Sequence, residues 1–327
     1  MTWLVTGAAG YIGAHVLEAF AEAGIDTVAV DSLISGHREF IPEGVPFIQA
    51  SILETERITN ALAEHNVTGV VHLAGYKYAG KSVREPLVAY EHNVTGTALL
   101  LQAMENADVD KIVFSSSAAV YGTPAGEDVT EATPTFPESP YGETKLIGEW
   151  LIRDQVRAQG IKATSLRYFN VVGSGSPRLY DSSPHNLFPL VLSALAEGRP
   201  AKIFGTDYDT SDGTCVRDYV HVSDLALAHV AAARALDADS PLEPVYNLGS
   251  GTGVSVREIM ETMAAVTGTD FPVELCDRRP GDPARIVANG DLAARDLGWK
   301  MRHTLKEMAA SALTAAHPPL ELTLSTY

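Results

Sequence analysis

The chain has 327 residues, of which 46% are hydrophobic and 20% charged, so it can bury a large core and is not a disordered protein. Its 41 acidic and 24 basic residues give a net charge of −17, which argues against nucleic acid and anionic membranes as partners. Two cysteines cannot form a disulfide framework, and the sequence shows neither a signal peptide nor an apolar run long enough to span a membrane. We therefore expect a cytoplasmic protein.

Short apolar runs alternate with helical patterns through the first half of the chain, which is typical of βαβ units around a parallel sheet. Strands are predicted at 3–5, 27–30, 46–50, 69–74, 111–114 and 164–168. Helices are predicted at 15–20, 56–65, 86–106 and 141–159. The fold class that this order predicts is α/β, with a doubly wound parallel sheet.

The pattern changes after residue 170, because residues 173–186 are rich in Gly, Ser and Pro and show little periodicity. Further helices are predicted near 187–197, 223–236, 255–267 and 304–315. We expect a first domain over 1–170 and a smaller C-terminal α/β domain over 171–327. Parts of 215–250 are expected to return to the first domain.

A glycine-rich turn joins the first strand to the first helix. Gly7 permits the tight turn, Gly10 lets the backbone approach a pyrophosphate, and Gly13 allows close packing of helix on strand. The helix N-terminus then faces the negative charge of the phosphates. Asp31 closes the second strand, where a carboxylate accepts both hydroxyls of an adenine ribose and repels a 2′-phosphate. This pattern predicts a Rossmann domain that binds NAD rather than NADP.

A tyrosine and a lysine stand four residues apart on the predicted helix at 141–159. Tyr141 and Lys145 therefore lie on one face of that helix. A phenol has an ordinary pKa of about 10, and a neighbouring ammonium favours the phenolate, so Tyr141 is predicted to act as a general base. Ser117 follows the fifth strand and is placed to hydrogen-bond the same substrate hydroxyl.

These features together resemble the extended short-chain dehydrogenase/reductase family over nearly the whole chain. Within that family the motifs are most similar to those of the UDP-hexose 4-epimerases. The matching segments are 5–13, 72–77, 93–97, 115–122, 139–145, 167–170, 186–189, 212–222 and 278–282. The block at 212–222 and the run at 74–77 are the most specific of them, whereas the glycine turn would suit many sugar-nucleotide enzymes.

The resemblance implies an isomerase that interconverts UDP-glucose and UDP-galactose by transient oxidation at C4. Tyr141 would take the proton of the 4-hydroxyl, and Lys145 would hold the nicotinamide ribose and lower the pKa of the tyrosine. Ser117 would orient the sugar 4-hydroxyl. The implied cofactor is NAD, and no metal ion, nucleic acid or membrane is expected to take part.

The resemblance also implies which residues bind the two ligands. The cofactor would be contacted by the glycine turn, the strand ends and the catalytic residues, namely Gly7, Gly10, Tyr11, Ile12, Gly13, Asp31, Ser32, Ser51, Ile52, Leu73, Ala74, Gly75, Lys77, Asn93, Tyr141, Lys145 and Tyr168. The UDP-sugar would be contacted by the catalytic residues and a distal group, namely Lys77, Ser117, Tyr141, Asn170, Asn186, Leu187, Lys202, Ile203, Phe204, Arg217, Tyr219, Arg279, Asp282 and Ile286.

Several of these residues carry a specific expectation. Lys77 and Asn93 would lie beside the nicotinamide ribose. The two arginines, Arg217 and Arg279, would clamp the diphosphate and supply the positive charge that the acidic chain otherwise lacks. Asp282 would bind the uridine ribose.

Two positions depart from the family pattern. Ser51 stands where the third strand usually ends in an acidic residue near the adenine, so the adenine contact differs here. Ile286 stands where the family often carries a large aromatic residue or a small one beside the sugar 2-position. Isoleucine is neither, so the choice of hexose stays open.

Three alternative functions are consistent with the same fold. A sugar-nucleotide dehydratase would share NAD and the Tyr/Lys pair, but such enzymes usually carry an Asp-Glu pair where this chain has Ala118 and Ala119. An epimerase of another nucleotide sugar, such as a UDP-N-acetylhexosamine or a UDP-uronate, is the closer alternative. A non-catalytic NAD sensor would be free to lose Ser117, Tyr141 or Lys145, yet all three are present.

The two long predicted helices carry an apolar stripe. It comprises Ala98, Leu99, Leu101, Gln102, Leu146, Ile147, Trp150 and Leu151. As is usual for the family, paired helices from two subunits would bury this stripe in a four-helix bundle, so we expect a homodimer.

Overall fold

The computed structural model describes residues 1–124, 128–279 and 282–316. Its centre is a sheet of seven strands, all paired in parallel. In spatial order the strands are Val245–Leu248, Lys162–Tyr168, Lys111–Ser115, Val67–His72, Thr2–Thr6, Asp26–Asp31 and Phe47–Gln49. The predicted doubly wound parallel sheet is therefore confirmed.

The strand order reverses between Thr2–Thr6 and Val67–His72. The chain runs outward from the first strand to the third and then crosses to the opposite side of the first. In a parallel sheet such a switch point opens a crevice at the carboxyl ends of the strands, where ligands bind.

Most of the central strands are buried on both faces. Leu4 and Val70 pack into one hydrophobic layer, while Val5 and Val71 pack into the other. A strand that is covered on both faces is recognised as a continuous apolar run, which is why the sequence placed these strands well. The covering helices are Thr55–Glu64, Gly96–Asn106 and Pro140–Gln159 on one face, and Tyr11–Glu22 and Val222–Asp237 on the other.

The helix predicted over 86–106 is not regular throughout. It consists of Pro86–Tyr90, a π-helical turn at Glu91–Thr95, and Gly96–Asn106. The prediction of a continuous α-helix is therefore wrong at the π turn. Such turns widen the backbone locally and often occur at functional sites. The π turn contains Asn93, whose side chain is hydrogen-bonded to the backbone of Tyr76 in the loop after strand Val67–His72.

The second region is the part of the chain after residue 170, apart from helix Val222–Asp237, which covers the central sheet. Among the described residues it contains four helices and several short strands. The helices are Leu187–Ala196, Val256–Thr267, Asp291–Asp296 and Leu305–Thr314. A four-stranded sheet has the order Val254–Ser255, Val216–Arg217, Arg285–Ala288 and Asp128–Val129. Two further strand pairs join Tyr219–His221 to Asn170–Val172 and Val273–Cys276 to Ala201–Phe204. Most of these strands are too short to show an alternating pattern in the sequence.

Segments cross between the two halves of the chain. Val245–Leu248 extends the central sheet beside Lys162–Tyr168, and helix Val222–Asp237 packs on that sheet. In the other direction, Asp128–Val129 pairs with Arg285–Ala288. The division at residue 170 stays a prediction.

Two short helical segments complete the first half. Ala79–Ser82 is a single α-helical turn that follows the fourth strand, and Ala118–Tyr121 is a 3-10 turn that follows the fifth. A further 3-10 turn covers Arg38–Phe40. Within the described residues, no helix combines the length and apolar character that crossing a membrane requires.

Candidate active site

A cavity of about 1520 Å³ opens at the carboxyl ends of the central strands. Asp31, Leu73, Ser117 and Phe169, which lie at or just after the ends of four strands, all line it. This volume exceeds the ~300–1,000 Å³ that is typical of a pocket for one small molecule. The cavity can therefore accept two ligands of nucleotide size side by side.

Most of the predicted site residues line this single cavity. They are Gly7, Gly10, Tyr11, Ile12, Gly13, Asp31, Ser32, Ser51, Ile52, Leu73, Ala74, Gly75, Lys77, Ser117, Tyr141, Lys145, Tyr168, Asn170, Asn186, Leu187, Lys202, Phe204, Arg217, Tyr219, Arg279 and Asp282. Asn93, Ile203 and Ile286 are not among its lining residues. Their assignment to ligand contacts stays untested, and the structure gives each of them a different environment.

The glycine turn forms a cradle that no side chain can occupy. Gly7 has a φ of +69°, and a Cβ atom at Gly13 would lie 2.2 Å from the Gly7 carbonyl oxygen. Gly10 precedes helix Tyr11–Glu22 without a side chain that caps its first N–H groups. Unpaired N–H groups at a helix N-terminus attract phosphate, so these residues fit the pyrophosphate of a dinucleotide.

The Asp31 carboxylate is buried at the edge of the same cradle. Its Oδ2 accepts a hydrogen bond from the Ala9 N–H at 3.0 Å, and its Oδ1 accepts one from the Leu33 N–H at 2.8 Å. Burial raises the pKa of this carboxyl, while the two backbone hydrogen bonds and the charge of Lys77 oppose the rise. Each carboxylate oxygen keeps a free lone pair for a ribose hydroxyl, so Asp31 fits the predicted adenine-ribose contact.

Tyr141 and Ser117 meet in the middle of the cavity. Burial raises the pKa of the Tyr141 phenol, and its hydrogen bond with the Ser117 side chain acts in the opposite direction. The sequence analysis predicted that Lys145 lowers this pKa, whereas burial is the larger influence and the net direction is upward. Sequence spacing shows that Lys145 lies near the tyrosine, but it does not show how deeply the phenol is buried.

Lys145 lies one helical turn beyond Tyr141, with Nζ 5.9 Å from the centroid of the tyrosine ring. Its ammonium donates a hydrogen bond to the Ser115 carbonyl at 2.9 Å. Burial lowers the pKa of Lys145 to about 8, and the negative charge of Glu149 limits this fall. Burial thus disfavours charge on both members of the pair.

A buried polar network that the sequence analysis missed lies behind Lys145. Glu149 accepts bidentate hydrogen bonds from Arg167, at 2.8 Å from Nε and 2.6 Å from Nη2, and a further one from Ser116 at 2.5 Å. Arg167 also donates to the Tyr121 hydroxyl at 2.9 Å. The available signal was the position of Glu149, four residues after Lys145 on the same helix face. A lone glutamate in a helix does not by itself reveal a buried partner.

The side chain of Asn93 does not line the cavity but is hydrogen-bonded to the loop that follows strand Val67–His72. Its Oδ1 accepts from the Tyr76 N–H at 2.6 Å, and its Nδ2 donates to the Tyr76 carbonyl at 3.0 Å. The same Nδ2 also lies 2.8 Å from the Thr144 hydroxyl. Thr144 belongs to helix Pro140–Gln159, called the catalytic helix because it carries Tyr141 and Lys145. These hydrogen bonds hold the loop against helix Pro140–Gln159, and a contact of Asn93 with the nicotinamide ribose stays a prediction.

The distal part of the cavity carries the two predicted arginines. Arg217 donates to the Val216 and Pro283 carbonyls at 2.9 and 2.8 Å, and its Nη2 lies 3.3 Å from Oδ1 of Asp282. The guanidinium of Arg279 lies 3.9 Å from the centroid of the Phe204 ring. Both cations remain at the cavity wall and fit a diphosphate. Pro280 and Gly281, which belong to the same predicted motif, lie outside the described residues.

Asn186 lies at the N-terminus of a helix at the cavity wall. It precedes helix Leu187–Ala196 and does not cap the helix with its side chain. Instead its Nδ2 donates to Oδ2 of Asp181 at 2.6 Å, a half-buried carboxylate that also lines the cavity. The first N–H groups of this helix are therefore left without a side-chain acceptor at the cavity wall. The sequence analysis missed Asp181, because nothing in its spacing links it to Asn186.

Two predicted substrate contacts point into hydrophobic layers instead. In strand Ala201–Phe204 side chains alternate, so Lys202 is exposed while Ile203 is 2% exposed and packs in the core of the second region. Ile286 packs beside Val120 and Phe169. The structure therefore places neither isoleucine side chain at the cavity wall.

The family of the chain follows from comparison with known proteins. The model of the NAD-dependent epimerase/dehydratase family matches residues 3–249. The chain belongs to this family, which confirms the resemblance that was inferred from its motifs.

Named relatives narrow the similarity further. A UDP-glucose 4-epimerase of Azospirillum brasilense is 44% identical over 316 residues, which cover 95% of this chain and 90% of that protein. The crystal structure of a UDP-glucose 4-epimerase from Brucella ovis in complex with NAD matches with a TM-score of 0.94 and 36% identity, covering 98% of this chain and 99% of that one. A UDP-glucose 4-epimerase from Bifidobacterium longum, solved with NAD⁺ and UDP, matches with a TM-score of 0.87 and 37% identity over 96% of this chain and 98% of that one.

Proposed function

We propose that this protein is an isomerase that interconverts UDP-glucose and UDP-galactose at C4. The observation that carries the proposal is the convergence of Ser117, Tyr141 and Lys145 on the cavity that also contains the glycine turn. Similarity to UDP-glucose 4-epimerases over nearly the whole chain supports the choice of substrate.

The residues of the chain divide the chemistry between them. NAD, when bound in the cradle of Gly7, Gly10 and Gly13, supplies reversible hydride uptake. Ser117 orients the sugar 4-hydroxyl, and the phenol oxygen of Tyr141 takes its proton and later returns it. Lys145 supports the charge that develops on the phenol oxygen.

The proposed reaction causes no net oxidation of the sugar, because the hydride that leaves C4 returns to it on the opposite face. The sugar must therefore expose both faces of C4 to one cofactor. Arg217 and Arg279 hold the nucleotide at the distal end of the cavity, remote from the reacting carbon. Because the binding free energy resides in the nucleotide, the hexose can turn without leaving the protein. The volume of the cavity leaves room for this rotation.

The direct test is incubation of the purified protein with UDP-galactose, without added reductant, followed by product analysis. Formation of UDP-glucose supports the proposal. Formation of a 4-keto-6-deoxy sugar would instead indicate a dehydratase, and binding without any product would indicate a sensor. Parallel incubation with UDP-N-acetylgalactosamine and UDP-galacturonate separates the remaining epimerase alternatives.

Cofactor choice is predicted from Asp31. A 2′-phosphate placed about 4 Å from this carboxylate would meet a repulsion of ~4 kcal/mol at an effective dielectric constant of 20. Arg38, the nearest basic residue in the sequence, packs 4.5 Å from the centroid of the Phe47 ring and does not line the cavity. Stripped protein should therefore regain activity with NAD and not with NADP, and equal recovery with both cofactors would contradict this role.

We further propose a homodimer built on helices Gly96–Asn106 and Pro140–Gln159. Trp150, on the second of these helices, is 45% exposed, and Leu87, which precedes the first of them in the chain, is 81% exposed. Leu101 and Leu146 are buried within the subunit, so these two members of the predicted stripe do not belong to the exposed face. Sedimentation should give a dimer, and Trp150→Glu should weaken it. A stable wild-type monomer at micromolar concentration would contradict the proposal.

A further inference from the structure

We propose that Ser82 is a positioning residue that fixes the catalytic Tyr141 relative to the loop that carries Lys77. The inference rests on the proposed function, because it concerns the geometry of that same site. Ser82 ends the short helix Ala79–Ser82, lies outside the cavity lining, and is completely buried.

The Ser82 hydroxyl is hydrogen-bonded on both sides. It donates to the Ala79 carbonyl at 2.6 Å and accepts from the Tyr141 N–H at 3.0 Å. The first bond holds the hydroxyl within its own helical turn, and the second reaches across 59 positions to the start of the catalytic helix. The N–H of Tyr141 is one of the first N–H groups of that helix, which have no acceptor within the helix itself.

The hydrogen bond between Ser82 and Tyr141 is one of two links between the segment at 76–82 and the catalytic helix. Asn93 links the backbone of Tyr76 to the hydroxyl of Thr144, while Ser82 links the turn at Ala79 to the backbone of Tyr141. Lys77 lies between the two attachment points on the loop side. On the catalytic helix the two contacts are made by Tyr141 and Thr144, which lie within its first five residues. Together they restrain the distance and angle between the phenol and the loop.

The consequence for catalysis is geometric. Tyr141 must reach the sugar 4-hydroxyl while that sugar lies against a cofactor held on the loop side of the cavity. Misplacement of a reacting group by about 1 Å costs on the order of 10²-fold in rate. Ser82 does not line the cavity, so replacing it by Ala removes this restraint on Tyr141 without deleting any cavity-lining side chain.

Ser139 offers a matched control. Its hydroxyl accepts from the Gly142 N–H at 3.2 Å and caps the same helix, but it makes no described contact with the Lys77 loop. Replacing either serine by Ala removes one hydrogen bond from the same helical turn. A merely structural role predicts equal effects of the two substitutions.

The experiment compares Ser82→Ala, Ser82→Thr and Ser139→Ala with the wild type. We expect Ser82→Ala to lower kcat by roughly 10- to 100-fold with KM within twofold, and Ser139→Ala to change kcat by less than threefold. Ser82→Thr keeps the hydroxyl and should retain at least a third of the wild-type kcat. Equal losses in the two Ala variants, or a Ser82→Ala variant with wild-type kcat, would overturn the inference.

Amide hydrogen exchange tests the same restraint without any substrate. Ser82→Ala should speed exchange both at 76–83 and at the start of the catalytic helix, whereas Ser139→Ala should speed it only in the helix. Unchanged exchange at 76–83 in Ser82→Ala would contradict the inference. A wild-type protein that does not convert UDP-galactose would refute the proposed function alone, since the exchange result still decides the role of Ser82.

Discussion

Replacement of Tyr141 by Phe is expected to lower turnover by about 10²–10⁴-fold while UDP-sugar binding is retained. The ring still packs in the cavity, but the oxygen that accepts the proton of the 4-hydroxyl is gone. Ser117 remains in the variant, but a serine hydroxyl ionises far less readily than a phenol and cannot replace Tyr141 as the base. Initial rates with UDP-galactose and calorimetric binding of UDP measure the two effects separately.

Tyr90→Phe is the matched control for this substitution. Tyr90 donates its hydroxyl hydrogen to Glu143 of the same catalytic helix at 2.5 Å, and it does not line the cavity. Its loss should leave turnover within about threefold of the wild type. A Tyr141→Phe variant that keeps more than a tenth of the wild-type activity would contradict the assignment of the base.

The largest effect on stability is expected for Arg167→Ala. Burial alone would lower the pKa of Arg167, but its hydrogen bonds and ion pair with Glu149 raise it above the ordinary value. Removal of the arginine leaves the Glu149 carboxylate buried with Ser116 as its remaining side-chain partner. Breaking a buried ion pair in this way costs about 3–5 kcal/mol of unfolding free energy.

Thermal or denaturant unfolding of the variant measures this loss. Arg57→Ala is the control, because Arg57 pairs with Glu54 at 3.1 Å on the protein surface. Exposed pairs contribute little, so this control should unfold close to the wild type. An Arg167→Ala variant as stable as that control would show that the buried pair contributes no net stability.

The sequence predicted best what depends on local pattern. The glycine turn, Asp31 and the Tyr141–Lys145 pair each require only a few residues at a fixed spacing beside a recognisable strand or helix. Six of the seven central strands were predicted as short apolar runs, because most of them are buried on both faces, whereas Val245–Leu248 was not predicted as a strand. These features placed both the fold class and the centre of the site.

The properties that the sequence did not reveal depend on tertiary contacts. The raised pKa of Tyr141 results from burial by segments far apart in the chain. Asn93 was predicted at the cofactor, and its contacts with Tyr76 and Thr144 depend on a π turn that the sequence pattern does not show. Ile203 was predicted as a substrate contact, and the burial of its side chain depends on the packing of strand Ala201–Phe204 in the second region. Glu149 and Asp181 became recognisable only when their distant partners were in place.

The central claim is that C4 of the sugar gives up and regains its own hydrogen within one protein cavity. The measurement is conversion of UDP-galactose carrying deuterium at C4 in unlabelled water, without added reductant, followed by mass and proton analysis of the product. The account predicts UDP-glucose that retains deuterium at C4, because the hydride never exchanges with solvent. Product with ordinary hydrogen at C4, or no UDP-glucose at all, would contradict it.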